Sequence, residues 1–264
     1  MEKLNIIKIG GQVLDNESVL NAFLHDLHRS QGKKIIIHGG GKLATRLAAQ
    51  LGAPQQMIDG RRITDADTLR IVTMVYAGLI NKQLVALLQS LGTDALGLSG
   101  ADMNCIKAHK RAVHAIDYGF VGDLDPASVN ANKLHNLLNM DCTPVICSIT
   151  HDGKGQLLNT NADTLAAAIA IAMNSNYDVQ LNFCFEKKGV LRNSEDDNSL
   201  IPSLSEKEYK YLKEEKHIHQ GMIPKLDNAF AALQQGVNKV IIGHSAEISS
   251  ILLNHTPHGT SLCQ

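Results

Sequence analysis

The stretch Lys34-Ile35-Ile36-Ile37-His38-Gly39-Gly40-Gly41 constrains this chain more than any other. A β-branched run reads as a buried strand, and three glycines at its end demand a tight loop. The residues that follow, Lys42 to Ala49, read as a helix. Glycines between a strand and a helix let backbone N–H groups close on an anion, and the helix N-terminus adds partial positive charge. The pattern also stands at the start of the chain, where Leu4-Asn5-Ile6-Ile7-Lys8-Ile9 runs into Gly10-Gly11. Two strand-to-glycine turns, one carrying a lysine, describe a cradle for phosphate.

Strand, polar loop and helix alternate from there on. Asn16 is placed to cap a helix whose Leu20, Phe23, Leu24 and Leu27 share one face. Gly52 closes the helix after the glycine tract. Thr64 is placed to cap a long helix through Leu69, Val72, Val75, Leu79, Ile80 and Leu84, bent near Gly78, that could line a dimer interface. Asp94 to Ser99, Thr143 to Ile149, Val179 to Phe185 and Val240 to Ile242 read as strands, and Gly259 to Leu262 as a last edge strand. Cys105 to Val121 reads as a hairpin excursion, and Pro224 fits the first turn of a helix with Lys225 near its N-terminus. The alternation predicts an α/β fold with a mostly parallel sheet between helices. Such sheets bind ligands at the carboxyl ends of their strands.

Composition narrows the function. A net charge of −1 over 264 residues gives no footing for nucleic-acid binding or a polybasic membrane anchor. With 44% hydrophobic residues and no apolar run near ~20 residues, the sequence reads as globular. A first strand starting at Leu4 leaves no room for a signal or transit peptide, so a cytoplasmic protein is expected. Cys105, Cys142, Cys147, Cys184 and Cys263 lack metal-knuckle spacing and are expected as reduced thiols. The pairs His217-Ile218-His219 and His255-Thr256-Pro257-His258 belong to no ligand set, so no metal site is expected.

Gly39-x-Gly41-x-x-Ala44, with Asp59 downstream, formally satisfies the dinucleotide fingerprint. The Walker pattern fails, because Ile36 stands at its first glycine and Leu43 follows Gly41-Lys42. A phosphoryl-transfer reading uses more of the chain. It needs cations on the moving group, glycine N–H donors and a carboxylate to place the cations, and Lys8, Lys225 and Asp163 are of those types. Residue types and spacing alone reach an α/β enzyme, or a sensor, that binds a phosphorylated ligand.

Taken together the motifs resemble the amino acid kinase family, and within it the kinases of N-acyl-L-glutamates. They are Lys8-Ile9-Gly10-Gly11, His38-Gly39-Gly40-Gly41, Gly60-Arg61-Arg62-Ile63-Thr64 and Ala77-Gly78-Leu79-Ile80-Asn81-Lys82. Then follow Gly97-Leu98-Ser99-Gly100, Gly119-Phe120-Val121-Gly122-Asp123, Asn159-Thr160-Asn161-Ala162-Asp163 and Gly221-Met222-Ile223-Pro224-Lys225. The resemblance implies an open eight-stranded, mostly parallel sheet. It implies an N-terminal lobe over residues 1–176 for acylglutamate binding and dimerisation, and a C-terminal lobe over 177–264 for ATP.

The implied reaction moves the γ-phosphoryl of ATP to the side-chain carboxylate of N-acetyl-L-glutamate, or of an N-succinyl-L-glutamate in a reshaped pocket. Arg62 would pair with the α-carboxylate and Asn159 with the α-substituents. Backbone N–H groups of Gly10, Gly11, Gly40 and Gly41 would hold phosphoryl oxygens. Lys8 and Lys225 would neutralise the transition state, with Asp163 holding both. No general base is required, since the acceptor carboxylate is already ionised. Magnesium would ride on the ATP phosphates. Glu186-Lys187-Lys188-Gly189 stands where the family has Asp-Val-x-Gly, which implies nucleotide contacts for Glu186, Lys188 and Gly189; His217 and His219 fall in the second nucleotide segment. The chain begins without the N-terminal helix of arginine-inhibited hexamers, which implies a homodimer without arginine feedback. The rivals are a sister amino acid kinase, a dinucleotide-binding protein and a catalytically silent sensor.

Overall fold

The computed structural model describes residues 1–53, 55–58, 61–193, 195–218, 221–253 and 259–263. Asp59, Gly60, His219, His255 and His258 lie outside the described residues. Eight strands form the main sheet: β1 (Lys3–Ile9), β2 (Lys33–His38), β3 (Ala95–Leu98), β4 (Thr143–Cys147), β5 (Asp178–Phe185), β6 (Ser203–Ser205), β7 (Lys239–His244) and β8 (Thr260–Cys263). Their order is β6-β8-β7-β5-β1-β2-β4-β3. Every neighbouring pair is parallel except β7 with β8. The expected open, mostly parallel eight-stranded sheet is therefore present.

The central strands are apolar in continuous runs because both faces of the sheet are covered. Leu4, Ile6, Ile35, Ile37 and Ile146 pack on one face, with helices Ala162–Met173 and Ile223–Gln234. Ile7, Ile9, Ile36, Val145 and Cys147 pack on the other, with helices Glu17–Arg29 and Ala66–Ser90. This is the two-residue alternation of a strand, read on both sides. Register then sets the site. Ile9 stands opposite His38 on β2 and Cys184 on β5, so the turns after all three strands leave the sheet at one level. Gly10 is tied across that level by its N–H to the Cys184 carbonyl at 2.7 Å.

Helices are labelled α1 (Glu17–Arg29), α2 (Gly41–Gln50), α3 (Ala66–Ser90), α4 (Ala131–Asn139), α5 (Ala162–Met173), α6 (Glu206–Glu214) and α7 (Ile223–Gln234). Asn16 caps α1 and Pro224 opens α7, as expected. Four local expectations change. Asp65, not Thr64, caps α3: its carboxylate accepts from the Thr68 N–H at 2.7 Å, while Thr64 is fully buried and bonds the loop at Tyr118 and Phe120. Around Gly78, where a bend is expected, Met74–Ile80 is a π-helical segment inside a continuous helix.

The sequence also hid how apolar α3 is. Among the described residues it is the helix long and apolar enough, by length and composition, to cross a membrane. Asn81 and Lys82 break the visible run, and its Val72, Val75, Tyr76, Ile80, Leu84 and Leu88 lie in the core. Finally, β8 is interior rather than an edge, because the short β6 pairs outside it. A second, four-stranded sheet joins His109–Lys110, Val121–Asp123, Leu157–Thr160 and Ile149–His151. It includes the expected hairpin excursion and carries Asn159.

Loss of an N-cap costs about 1 kcal/mol. Asp65→Ala should therefore lower the unfolding free energy by that amount, read as a lower urea midpoint with an unchanged m-value. An unchanged midpoint would show that the cap does not hold α3.

Candidate active site

Three elements converge on one carboxylate. Lys8 stands at the end of β1 on the face covered by α5 and α7. Asn161 caps α5 through the N–H groups of Asp163 and Thr164, which frees Asp163 in the first turn to bond elsewhere. Pro224 sets the first turn of α7, which brings in Lys225. Asp163 Oδ1 lies 2.8 Å from Lys8 Nζ, and Lys225 Nζ lies 3.1 Å from both Asp163 oxygens. The side chains of Lys8, Asp163 and Lys225 are only 13%, 16% and 9% exposed.

Electrostatics follow from that geometry. Burial works to raise the Asp163 carboxyl, but Lys225 and Lys8 together pull it well below the usual carboxylate range. Burial lowers Lys225 to about 8, against the Asp163 charge that raises it. Its ammonium also stands over the Phe183 and Phe185 rings, 5.1 and 5.8 Å from their centroids. Two cations on one carboxylate leave a net positive point at the carboxyl edge of the sheet.

The glycine turns frame that point. Gly40 has φ +151°, a backbone conformation that strains any other residue, and a Cβ there would also displace Ile80 Cδ1, 2.2 Å away. A Cβ on Gly10 would press on the Cys184 carbonyl and on Phe185 at 3.1 Å, whereas Gly11 faces open space. Gly11 starts a short helix, Gly11–Asp15, and Gly41 starts α2, so both turns deliver helix N-termini.

Two clefts open from here. The first, about 310 Å³, is lined by Lys8, Gly11, Gly40, Gly41, Arg62 and Asn159 among others. Arg62 Nη2 donates to the Gly41 carbonyl at 2.9 Å and to Thr45 Oγ1 at 3.0 Å, while its buried Nη1 has no hydrogen-bond partner among the described residues. A buried guanidinium nitrogen without a partner, on a cleft wall, is a ready carboxylate binder. Asn159 Nδ2 donates to Thr64 Oγ1 at 3.1 Å, which leaves its carbonyl oxygen for a ligand. The second cleft, about 450 Å³, is lined by Lys8, Gly10, Gly11, Glu186, Gly189 and Lys225, with an apolar wall of Val190, Leu191, Ile218 and Met222. The two clefts share Lys8 and Gly11.

Most of the expected residues thus come together. Asp163 lines neither cleft and holds the two lysines that do. Lys188 and His217 are exposed and absent from the second cleft's lining, where Lys187 and Ile218 stand instead. Sequence reasoning missed Tyr76, Arg111 and Ser148 in the first cleft. Arg111 forks onto Asp123 with contacts of 2.6 to 3.2 Å, and burial pushes the Tyr76 hydroxyl up, with Arg62 acting the other way. Tyr76 falls within the long helix and Arg111 within the hairpin excursion, and neither carries a local signal of the cleft.

Residues 3–244 match the amino acid kinase family. The chain belongs to that family. This amino acid kinase is 52% identical over 248 residues to an acetylglutamate kinase of Phocaeicola vulgatus, an alignment covering 94% of this chain and 96% of that one. It is 49% identical over 261 residues to an acetylglutamate kinase of Bacteroides fragilis, with 99% and 97% covered. Its fold matches N-acetylglutamate synthase from Neisseria gonorrhoeae, solved with coenzyme A and N-acetyl-glutamate, with a TM-score of 0.83 and 22% identity over 100% of this chain and 59% of that one. Carbamate kinase from Giardia lamblia bound to AMP-PNP matches with a TM-score of 0.68 and 13% identity, covering 100% and 98%. At those identities the likeness concerns the fold.

Lys225 should titrate near 8 in a ¹³C-detected lysine experiment on the intact chain. Asp163→Asn should move the midpoint lower still, since it removes the charge that raises it. A midpoint near the ordinary ~10.4 would contradict this burial and pairing.

Proposed function

We propose that this chain is an acetylglutamate kinase, transferring the γ-phosphoryl group of ATP to the side-chain carboxylate of N-acetyl-L-glutamate. The observation that carries the reading is the junction of two clefts at Lys8 and Gly11, with Lys225 and Asp163 beside it. The relatives in Phocaeicola vulgatus and Bacteroides fragilis support the choice of acceptor. ATP as donor goes with the family.

The acceptor occupies the first cleft, mainly from residues 1–176, with its α-carboxylate on Arg62 and its α-substituents on Asn159. ATP occupies the second, mainly from residues 177–264, with its base against Val190, Leu191, Ile218 and Met222. The acceptor's ionised carboxylate attacks the γ-phosphorus and the bond to the ADP oxygen breaks; no proton has to move. Lys8 and Lys225 meet the charge that spreads over the attacking, transferring and leaving oxygens, and Asp163 keeps both ammoniums at the junction. N–H groups of Gly11, Gly40 and Gly41 would hold the equatorial oxygens.

Magnesium brought in on the nucleotide would neutralise phosphate charge. Asp163 is saturated by two ammoniums, and the described residues gather no cluster of three His, Cys, Asp or Glu, so the phosphates themselves would hold the ion.

Arg61, Arg62 and Arg111 all line the acceptor cleft; Asp123 neutralises Arg111, so Arg61 is the positive charge left beyond the α-carboxylate's partner Arg62. That favours N-succinyl-L-glutamate as a second reading. Hydroxylamine trapping of acyl phosphate with N-acetyl-, N-succinyl- and free L-glutamate decides between them. Turnover should appear with an acylated substrate and fall on the order of 10²-fold or more in Lys8→Ala. Arg62→Lys should raise the acceptor KM about ten- to hundredfold and leave that for ATP unchanged. ATP binding without turnover of any acceptor would favour a sensor.

The homodimer and a cytoplasmic setting belong to the same proposal. Met74 and Leu79 stand 53% and 46% exposed on α3 and offer an apolar contact. Light scattering should give a dimer, and Leu79→Glu should weaken it; a monomeric or hexameric wild type would overturn this.

A further inference from the structure

His38 closes β2 directly before the glycine loop and is fully buried. Its Nδ1 lies 2.9 Å from the Gly39 carbonyl oxygen, and its Nε2 lies 3.0 Å from Asn81 Nδ2. A carbonyl only accepts, so Nδ1 must carry the hydrogen. The Asn81 side chain decides the rest. The same Nδ2 lies 2.9 Å from the Val145 carbonyl, and Asn81 Oδ1 lies 3.2 Å from Lys82 Nζ. Reversing the amide would set an acceptor against Val145 and a donor against the ammonium. Nδ2 therefore faces the ring, and Nε2 accepts. Lys82 is itself held by the Gly97 carbonyl at 3.1 Å, and a Cβ on Gly97 would stand 2.0 Å from Asn81 Oδ1. Burial pushes the imidazole down to about 4 against the Gly39 carbonyl, which raises it, so the ring is neutral at physiological pH.

The consequence lies one bond further on. The C=O and N–H of a trans peptide point in opposite directions. With the Gly39 oxygen drawn to the imidazole, the Gly40 N–H points away from it. Gly40 lines the acceptor cleft, and Ile80 and Tyr76 stand where its Cβ would be. A peptide between two glycines flips easily, since neither residue confines its torsions. A loop built of glycines for close approach to phosphate therefore needs an external lock.

We propose that His38 is a positioning residue for phosphoryl transfer: its neutral Nδ1–H tautomer, set by Asn81, fixes the Gly39–Gly40 peptide so that the Gly40 N–H faces the transferring phosphoryl group. The proposal rests on the kinase reading of the site. It acts on the transition state more than on ground-state binding.

Ring ¹⁵N spectra of the intact wild type, with His38 assigned through His38→Gln, should show the Nδ1–H tautomer throughout the neutral range. His38→Phe and His38→Gln, which lack a donor at the Nδ1 position, should lower kcat on the order of 10²-fold, with KM for ATP and acceptor within about threefold. His38→Asn, whose amide can donate from that position, should restore most of kcat. An Nε2–H tautomer, an imidazolium, a normal kcat in either donor-free variant, or His38→Asn as slow as they are would overturn the proposal alone. Absent wild-type turnover would overturn the kinase reading as well. Should His38→Phe not fold, His38→Gln and the wild-type ring spectrum carry the test.

Discussion

The structure depends on one buried carboxylate shared by two ammonium groups. Asp163 is held by Lys8 from β1 and by Lys225 from α7, and it is itself the first-turn residue of α5. Removing Asp163 from such a cluster leaves two buried ammoniums without their counter-charge, and with it in place one positive charge is left over. The cluster thus ties three elements far apart in sequence, and its surplus positive charge faces the junction of the two clefts. On the proposed reading, stability and reactivity draw on the same contacts. The Asp163 contribution to stability is complete above the ordinary carboxylate pKa near ~4 and is lost as pH falls from there toward its depressed folded value.

Sheet register does the remaining placement. Because Ile9 faces both His38 and Cys184, the two glycine turns and the Phe185-Glu186 turn emerge side by side. A one-residue slip would reverse every side chain on β1 and send Lys8 to the α1 and α3 side. The apolar alternation of Leu4 and Ile6 against Ile7 and Ile9 guards against that slip. A folding constraint on the core is therefore also a constraint on where Lys8 points.

Much of this was legible in the sequence. Strand-to-glycine turns locate ligands at strand ends without knowledge of the fold, and Pro224 marks the start of α7, which places Lys225. Asp163 was harder, since an acidic residue in a first helical turn is ordinary; only the cap supplied by Asn161 shows that its carboxylate is free for another task. The resemblance extended the reading to Arg62 and Asn159, both on the first cleft. It also carried over Lys188 and His217, which stand exposed because the Glu186-Lys187-Lys188-Gly189 turn presents Lys187 and Gly189 to the cleft instead. Tyr76 and Arg111 were illegible, because each reaches the cleft through contacts dozens of residues away. The π-helical segment of α3 and the three-residue β6 were missed for another reason: neither is long enough to impose a periodicity.

On the proposed reading, the two clefts that meet at a single charged point serve direct transfer between two bound substrates. ATP made chiral at the γ-phosphorus with oxygen isotopes tests this most directly. A single in-line displacement at the Lys8 and Lys225 junction predicts inversion of configuration in the acyl phosphate. Retention would mean two successive transfers through a phosphorylated residue, and it would contradict the account.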